Sequence, residues 1–407
     1  MINIAVMGYG TVGSGVVEVI QTNRDIVNEK AYTDINIKYV LDLREFPGDP
    51  VEKLLTHDFE TILNDDEVKI VVEVMGGLEP AHTFVTKCLK AGKSVCTSNK
   101  ELVAKFGPEL LRLAGENNVN FFFEASCGGG IPVIRALNDS ITADRIKEIS
   151  GILNGTTNYI LTKMETEGWD FDTALKSAQE NGYAERDPEA DIEGYDACRK
   201  IAILSSLAFG KTVDFQEVHT EGISGITHRD IEYARSMEYA IKLLGSSVRG
   251  EDDDRICAFV APMLVEKEHP LYLVNGVFNA IFINGNMLGP AMFYGSGAGK
   301  LPTASAVAAD VVAAARNIGK HVPVFWKDEK AELFDLSNIV RRFYVRMSGT
   351  PEDKLPGIEK LFGKVEVKTL DGDTPDFCFI TDYMSEKDFN LAYEKLDGAL
   401  IRIRINR

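Results

Sequence analysis

The chain has 407 residues, 45% hydrophobic and 26% charged, the balance of a globular protein of two or three domains. Its net charge of −18 argues against nucleic-acid backbones and anionic membrane surfaces as partners, although a small anion needs only a local cluster of donors. No apolar run approaches the ~20 residues that span a bilayer, and no signal peptide is expected; six cysteines without a CxxC pair or zinc spacing read as reduced thiols of a cytoplasmic protein.

Ile2–Met7 is an apolar run that reads as a buried strand, and Gly8-Tyr9-Gly10-Thr11-Val12-Gly13 follows at once. Val16, Val17, Val19 and Ile20 then give a helix. In a strand–GxGxxG–helix unit the first glycine allows the tight turn, the second lets backbone approach a pyrophosphate, and the third lets helix pack on strand. The helix start adds N–H groups and a positive dipole end for phosphate. The pattern predicts a dinucleotide site at Gly8, Gly10 and Gly13. The next strand, Ile35–Leu41, ends in Asp42-Leu43-Arg44. An acid there would bond a ribose 2′-hydroxyl and an arginine would accept a 2′-phosphate, so the choice between NAD and NADP stays open.

Val68–Val74 reads as a strand, about Pro80–Ala91 as a helix, and Ser94–Thr97 as a strand running into Ser98, Asn99 and Lys100. Polar residues at the carboxyl end of a parallel strand lie where open α/β sheets bind ligands, which makes Ser98 and Lys100 candidates beside the nicotinamide; the alternative for Lys100 is a surface lysine capping the turn. Phe121–Phe123 leads into Glu124-Ala125-Ser126-Cys127-Gly128-Gly129-Gly130-Ile131-Pro132. A carboxylate with inward-turned carbonyls would suit Na⁺ or K⁺; a hinge between domains explains the glycines equally well.

Ile146–Leu153 is strand-like and precedes a helix at Tyr159–Glu167, with Thr156 or Thr157 as cap or substrate contact. Further strands are expected at Ile256–Val260 and Ala280–Ile283, with the acidic run Glu251–Asp254 as a solvated turn. Gly297, in a second glycine cluster before a helix at Thr303–Ile318, is either a close approach to cofactor or a packing turn. Residues 341–407 read as β-α-β-β-α-β, a ferredoxin-like order, with a short first helix at about Leu355–Phe362.

Gly182–Lys200 carries Glu185, Asp187, Glu189, Asp191, Glu193 and Asp196, then Lys200. Pro188 interrupts any helix there, and from Asp196 onward Ala197, Ile201, Leu204 and Ala208 recur at helical spacing. Asp196 and Lys200 therefore share a helix face. Taken alone this is a solvated acidic loop and a surface ion pair; placed after a dinucleotide fold it becomes a set of carboxylates for a substrate ammonium with a lysine to move a proton.

These segments in this order resemble homoserine dehydrogenases over nearly the whole chain. Gly8–Gly13, Thr97–Lys100, Glu124–Pro132, Gly151–Asn158 and Gly182–Lys200 carry the likeness. The most specific is the Asp-Pro-x-x-Asp turn followed by Gly-x-Asp and three residues before lysine. The resemblance implies reversible NAD(P)H-dependent reduction of aspartate 4-semialdehyde to homoserine by a homodimer or higher oligomer. It implies Lys200 as proton donor and acceptor, Lys100 as a second active-site lysine, and Gly182, Glu185 and Asp196 as substrate-binding positions. Glu124 with carbonyls of Cys127, Gly129 and Ile131 would hold a monovalent cation. Gly10, Thr11, Val12 and Gly297 would contact cofactor. The last segment resembles an ACT domain, but its first turn, Gly349–Gly357, departs from the usual glycine pattern, leaving open an effector site or a supporting role in assembly. The expected α/β architecture is a Rossmann-type domain at 1–135 with helix 303–318 packed back on it, an α+β substrate and dimerisation domain at 136–302, a linker at 319–340 and the ferredoxin-like unit at 341–407. Two rivals remain: a dehydrogenase of another amino-acid semialdehyde or keto acid, and a non-catalytic NAD(P)-binding redox regulator.

Overall fold

The structure is a computed structural model that describes residues 1–250, 254–372 and 375–406. The acidic residues Glu251, Asp252 and Asp253 lie outside the described residues. The chain divides into two compact units, one of residues 1–145, 202–216 and 293–331, the other of residues 146–201, 217–292 and 332–407.

In the first unit, β1 (Ile2–Met7), β2 (Ile35–Leu41), β3 (Leu55–Thr56), β4 (Val68–Glu73), β5 (Ser94–Thr97) and β6 (Phe121–Phe122) form one parallel sheet in the order β3-β2-β1-β4-β5-β6. The central runs Ile4–Met7, Ile70–Val72 and Ser94–Thr97 are buried throughout, as parallel strands between helices require. The order reverses beside β1, which is where a doubly wound sheet opens a crevice for a dinucleotide. Helix Thr11–Thr22 leaves the glycine turn, and helix Lys300–Arg316 lies against it. A side chain on Gly15 would stand 2.8 Å from the Lys300 carbonyl and 3.0 Å from Ala304 Cβ, so glycine permits the crossing. Within residues 319–340, Lys327–Lys330 pairs in parallel with Lys211–Thr212.

The second unit is built on a sheet that runs Phe278–Gly285, Ile146–Ile152, Tyr239–Arg249, Ile256–Glu266, Ala399–Ile405, Phe343–Ser348, Asp376–Ile380 and Glu366–Thr369. Its longest pairing joins Tyr239–Arg249 to Ile256–Glu266 in antiparallel register from Tyr239–Glu266 to Arg249–Ile256. Ala399–Ile405 pairs in parallel with the end of Ile256–Glu266, and so joins the carboxyl-terminal strands to the same sheet. Those last four strands and helices Pro351–Phe362 and Glu386–Tyr393 have β-α-β-β-α-β order, all pairs antiparallel, with a phenylalanine-rich core. The first of these helices has twelve residues, starting at Pro351, and is not short. Proline at the first helical positions removes only N–H groups that have no partner in the helix, so Pro351 opens the helix instead of ending it.

All six cysteines are buried. Among the described residues no helix is long and apolar enough to cross a membrane.

The tightest glycine in the dinucleotide turn is Gly13, where a Cβ would sit 1.9 Å from the Gly8 carbonyl oxygen. Gly13→Ala is expected to lower stability by about 1–3 kcal/mol through overpacking and to weaken dinucleotide binding. Thermal unfolding with and without NADPH measures both, and an unchanged melting temperature would contradict the packing argument.

Candidate active site

The glycine turn shapes a backbone cradle. Gly8 has φ +99°, a conformation that side chains rarely adopt. Gly10 caps helix Thr11–Thr22, and a Cβ there would meet nothing within 4 Å, which leaves its backbone open to a ligand. Thr11 is exposed and Val12 packs against the sheet core. Beside the turn lies a cavity of about 490 Å³ lined by Gly8, Gly10, Asp42, Arg44, Val74 and Pro80. One oxygen of Asp42 accepts the Tyr9 N–H at 2.7 Å, and Arg44 closes on Asp42 through Nε and Nη2, both at 3.0 Å. Arg44 Nη2 also donates to the Tyr9 carbonyl at 3.1 Å. Arg44, helped by the Tyr9 amide, holds the Asp42 carboxyl well below the usual carboxylate range. A strand-end carboxylate, an exposed guanidinium and an open glycine turn are a donor and acceptor set that fits an adenosine ribose and a pyrophosphate.

The carboxyl ends of β4 and β5 are tied by a buried chain of hydrogen bonds. Glu73 is fully buried; it accepts the Met75 N–H at 2.9 Å and the Thr97 hydroxyl at 2.6 Å. Burial raises its pKa despite those donors. Thr97 in turn accepts the Asn99 N–H at 2.9 Å, and the Asn99 side chain caps helix Lys100–Glu116 through the Leu102 N–H at 3.1 Å. Lys100 is therefore the first residue of that helix, next to Ser98 and the cap. A cation at a helix amino terminus opposes the dipole, so helix stability does not explain a lysine at this point.

Glu124 is buried, and its carboxylate accepts the N–H groups of Ile134 and Arg135, each at 2.8 Å. Burial raises its pKa against the pull of Arg135. Its own N–H donates to Asp310 at 2.9 Å, and Arg135 pairs with the other oxygen of Asp310. The carboxylate is thus oriented by backbone, one N–H on each oxygen, and its remaining lone pairs and the loop carbonyls are hard donors. Among the described residues no group of three or more His, Cys, Asp or Glu side chains could hold a metal. Gly128 and Gly129 have φ of +72° and +56°, and a Cβ on Gly129 would meet the Gly297 carbonyl at 2.4 Å. The structure therefore places Gly297 against the Glu124–Ile131 loop, where the two glycines pack backbone on backbone.

In the second unit, Ile146–Ile152 ends at Leu153 and Asn154, and helix Gly155–Glu167 begins. Lys200, on helix Tyr195–Phe209, donates to the Leu153 carbonyl at 2.8 Å and to Asp196 Oδ2 at 2.6 Å. The i,i+4 pair is largely buried, with side-chain exposures of 12% for Lys200 and 6% for Asp196. Asn154 donates from Nδ2 to Asp191 at 2.7 Å and to Asp196 at 2.9 Å, while its Oδ1 accepts the Thr157 N–H at 2.9 Å. Thr157 is thus capped, and Thr156 donates to the Tyr183 carbonyl at 2.6 Å, fastening the 182–185 turn to the same helix start. Gly182 (φ +74°) and Glu185 lie exposed on that turn. The structure brings Asp191, Asp196 and Lys200 into one cluster and leaves Gly182 and Glu185 on the surface beside it.

Sequence reasoning missed Glu73, Asn154 and Asp310. The signal for Asn154 was present: an Asx residue at a strand end, just before a helix, is a strong cap. Glu73, a carboxylate directly after the apolar run Ile70–Val72, was also detectable; Asp310 in an alanine-rich helix was not.

Comparison with known proteins agrees with this geometry. A family described as homoserine dehydrogenase matches residues 132–312, and one described as homoserine dehydrogenase, NAD binding domain, matches residues 8–124. The chain is 45% identical to a homoserine dehydrogenase from Synechocystis over 317 residues, 76% of this chain and 72% of the relative. It is 41% identical to one from Mycobacterium leprae over 375 residues, 90% of this chain and 85% of that one. A crystal structure of a homoserine dehydrogenase from Thiobacillus denitrificans superposes with a TM-score of 0.91 at 36% identity, covering 100% of this chain and 98% of that one. A hyperthermophilic archaeal homoserine dehydrogenase in complex with NADPH matches with a TM-score of 0.66 at 30% identity, over 77% of this chain and 97% of that chain. With its glycine cradle in a 3-2-1-4-5-6 sheet and its buried Lys200–Asp196 pair, the chain belongs to the homoserine dehydrogenase family and is an NAD(P)-dependent oxidoreductase acting on a CH–OH group.

Proposed function

We propose that Lys200 carries the proton in the interconversion of aspartate 4-semialdehyde and homoserine. The observation that carries this reading is a largely buried ammonium gripped by the Leu153 carbonyl and Asp196. When bound, the nicotinamide supplies or takes up the hydride at its C4. The substrate oxygen gains negative charge as the aldehyde carbon is reduced; Lys200 gives it a proton and takes one back in the oxidation direction. Asp196 and Glu185, with backbone at Gly182, are the positions we assign to the substrate ammonium, and Lys100 is a second lysine for the reacting end. Lys200→Ala is expected to lower kcat about 10²–10⁴-fold. NADPH affinity, followed by nicotinamide fluorescence, should stay near that of the unsubstituted chain. Full turnover in this variant would remove the assignment.

The cofactor cradle supports use of both NAD and NADP. Asp42 offers a carboxylate to a 2′-hydroxyl, while Arg44, 61% exposed at its side chain, can exchange that carboxylate for a 2′-phosphate. Gly8, Gly10, Thr11, Val12 and Gly13 hold the pyrophosphate side, with Ser98 nearer the nicotinamide. Arg44→Ala is expected to raise KM for NADP about tenfold, the worth of one charge-assisted hydrogen bond, with NAD much less affected. Equal changes for the two cofactors in steady-state assays would refute this.

The loop Glu124–Ile131 is assigned a monovalent cation, held by Glu124 with the backbone carbonyls of Cys127, Gly129 and Ile131. Such an ion stabilises the folded loop by mass action. Replacing Na⁺ and K⁺ with choline at constant ionic strength is expected to lower the melting temperature and the rate together; indifference of both would count against the site. Exposed Leu273, Met287 and Leu288 on the second unit support assembly as a homodimer or larger.

A further inference from the structure

We propose that Asn154 is a positioning residue for proton transfer, a neutral clamp that sets the distance and orientation of the Asp196–Lys200 pair. The proposal rests on Lys200 as proton carrier and goes beyond it to what holds that lysine in place.

The amide of Asn154 is fully determined by its surroundings. It is 5% exposed. Its Oδ1 accepts from the Thr157 N–H, so its Nδ2 must face Asp191 and Asp196; the flipped amide would set oxygen against two carboxylates. Three elements meet at this one side chain: the start of helix Gly155–Glu167, Asp191 of the short helix Glu189–Ile192, and Asp196 of helix Tyr195–Phe209. Charged groups bonded here include Asp191 and Asp196, both on the Asn154 amide, and Lys200 on Asp196. Two carboxylates brought to a common point repel, and an amide with two N–H groups can bond both without adding charge.

The neighbouring residue completes the arrangement. The Leu153 carbonyl accepts from Lys200 while the Asn154 side chain donates to the same Asp196 oxygen, Oδ2, that accepts from Lys200. Two consecutive residues at one strand end therefore hold both halves of the pair, one by backbone and one by side chain. A donor that already shares Asp196 Oδ2 tempers how strongly that oxygen pulls on the ammonium, and it prevents the carboxylate from rotating away. Without the clamp, Asp196 Oδ2 would lose one of the donors that fix its place against Lys200.

Serine caps helices about as well as asparagine but carries no Nδ2 donors, so Asn154→Ser separates the cap from the clamp. Full-length N154S, N154D and K200A are compared with the unsubstituted enzyme in homoserine oxidation, with melting temperatures measured alongside. For N154S the expected result is a fall in kcat of about tenfold to a hundredfold, the effect of a small misplacement, with KM for the cofactor within about twofold. The inflection of the pH–rate profile should move by about half a unit or more, a change that a merely structural role would not produce. N154D keeps size and cap but places a third carboxylate at the same point, and should lose more. N154S with unaltered kcat and an unmoved profile overturns the clamp while leaving K200A free to uphold the lysine. If N154S does not fold, N154D decides: full turnover with an unmoved profile overturns the proposal. Full activity in K200A overturns both the clamp and the assignment beneath it.

Discussion

An ammonium taken most of the way out of water needs fixed partners, and the second unit is arranged around supplying them to Lys200. Burying a charge costs several kcal/mol unless hydrogen bonds replace its hydration. Lys200 receives a backbone carbonyl and a carboxylate, both from structure that cannot easily move. The carbonyl belongs to the end of a paired strand, and the carboxylate lies one helical turn away on the lysine's own helix. The approach is close because the strand beneath lacks a side chain at Gly245, where a Cβ would lie 2.8 Å from Leu153 and 3.1 Å from Ile201. On the adjacent strand Gly151 lets the Phe278–Gly285 strand approach, with the Ala280 carbonyl 2.4 Å from where its Cβ would be. Small residues in the sheet thus let strand end and helix converge, and that convergence makes the buried pair possible.

The first unit solves a different problem, that of holding glycine-rich loops still. Loops of this composition lose much conformational entropy when ordered. Here buried carboxylates are spent on backbone: Glu73 on Met75, Glu124 on Ile134 and Arg135, and Asp310 on Glu124. Burial pushes the pKa of Asp310 up to about 7, with Arg135 opposing that rise. The helix carrying Asp310 also crosses the helix of the dinucleotide turn at Gly15, so one element steadies both the cofactor loop and the Glu124 loop.

Much of this was legible because it is local. The strand, GxGxxG and helix at the chain start, the i,i+4 relation of Asp196 and Lys200, and the β-α-β-β-α-β order at the end are all matters of short spacing. Tyr239–Arg249 was not read as a strand, although it lies between two others, because it mixes apolar residues with Lys242, Gly245, Ser246 and Ser247. All four are buried in the folded sheet. Lys242 is held there by the Val274 carbonyl at 2.8 Å and Asn275 at 2.7 Å, partners more than thirty residues away. The acid ahead of three glycines was legible as a candidate cation loop. Which way that carboxylate faces depends on Ile134 and Arg135 turning their N–H groups back toward it, and no spacing rule shows that. Asn154 was within reach as a cap, but its second role depends on two acids 37 and 42 residues further on.

The carboxyl-terminal strands bear on how a sensing module could act within the second unit. A loosely tethered module would touch its neighbour through exposed, screened pairs worth little. These strands instead continue the sheet and are joined to it by buried charge. Arg404, almost wholly buried, bonds Glu221 at 2.7 Å and Glu386 at 3.0 Å. Burial works against ionisation of Glu221, yet His219, Arg404 and Arg402 together hold its carboxyl below the ordinary range. A second network joins Arg346 to Asp230 at 2.7 Å, and Arg229 and Tyr233 to Asp376 at 3.0 and 2.9 Å. Removing one member of such a network strands the others in a poorly hydrated place, a cost of about 3–5 kcal/mol. Because Ala399–Ile405 pairs directly with Ile256–Glu266, a ligand that shifted the terminal strands would act on the sheet that ends at Leu153 and Asn154. The terminal strands are therefore part of one continuous sheet, held to it by strand pairing and by buried charge.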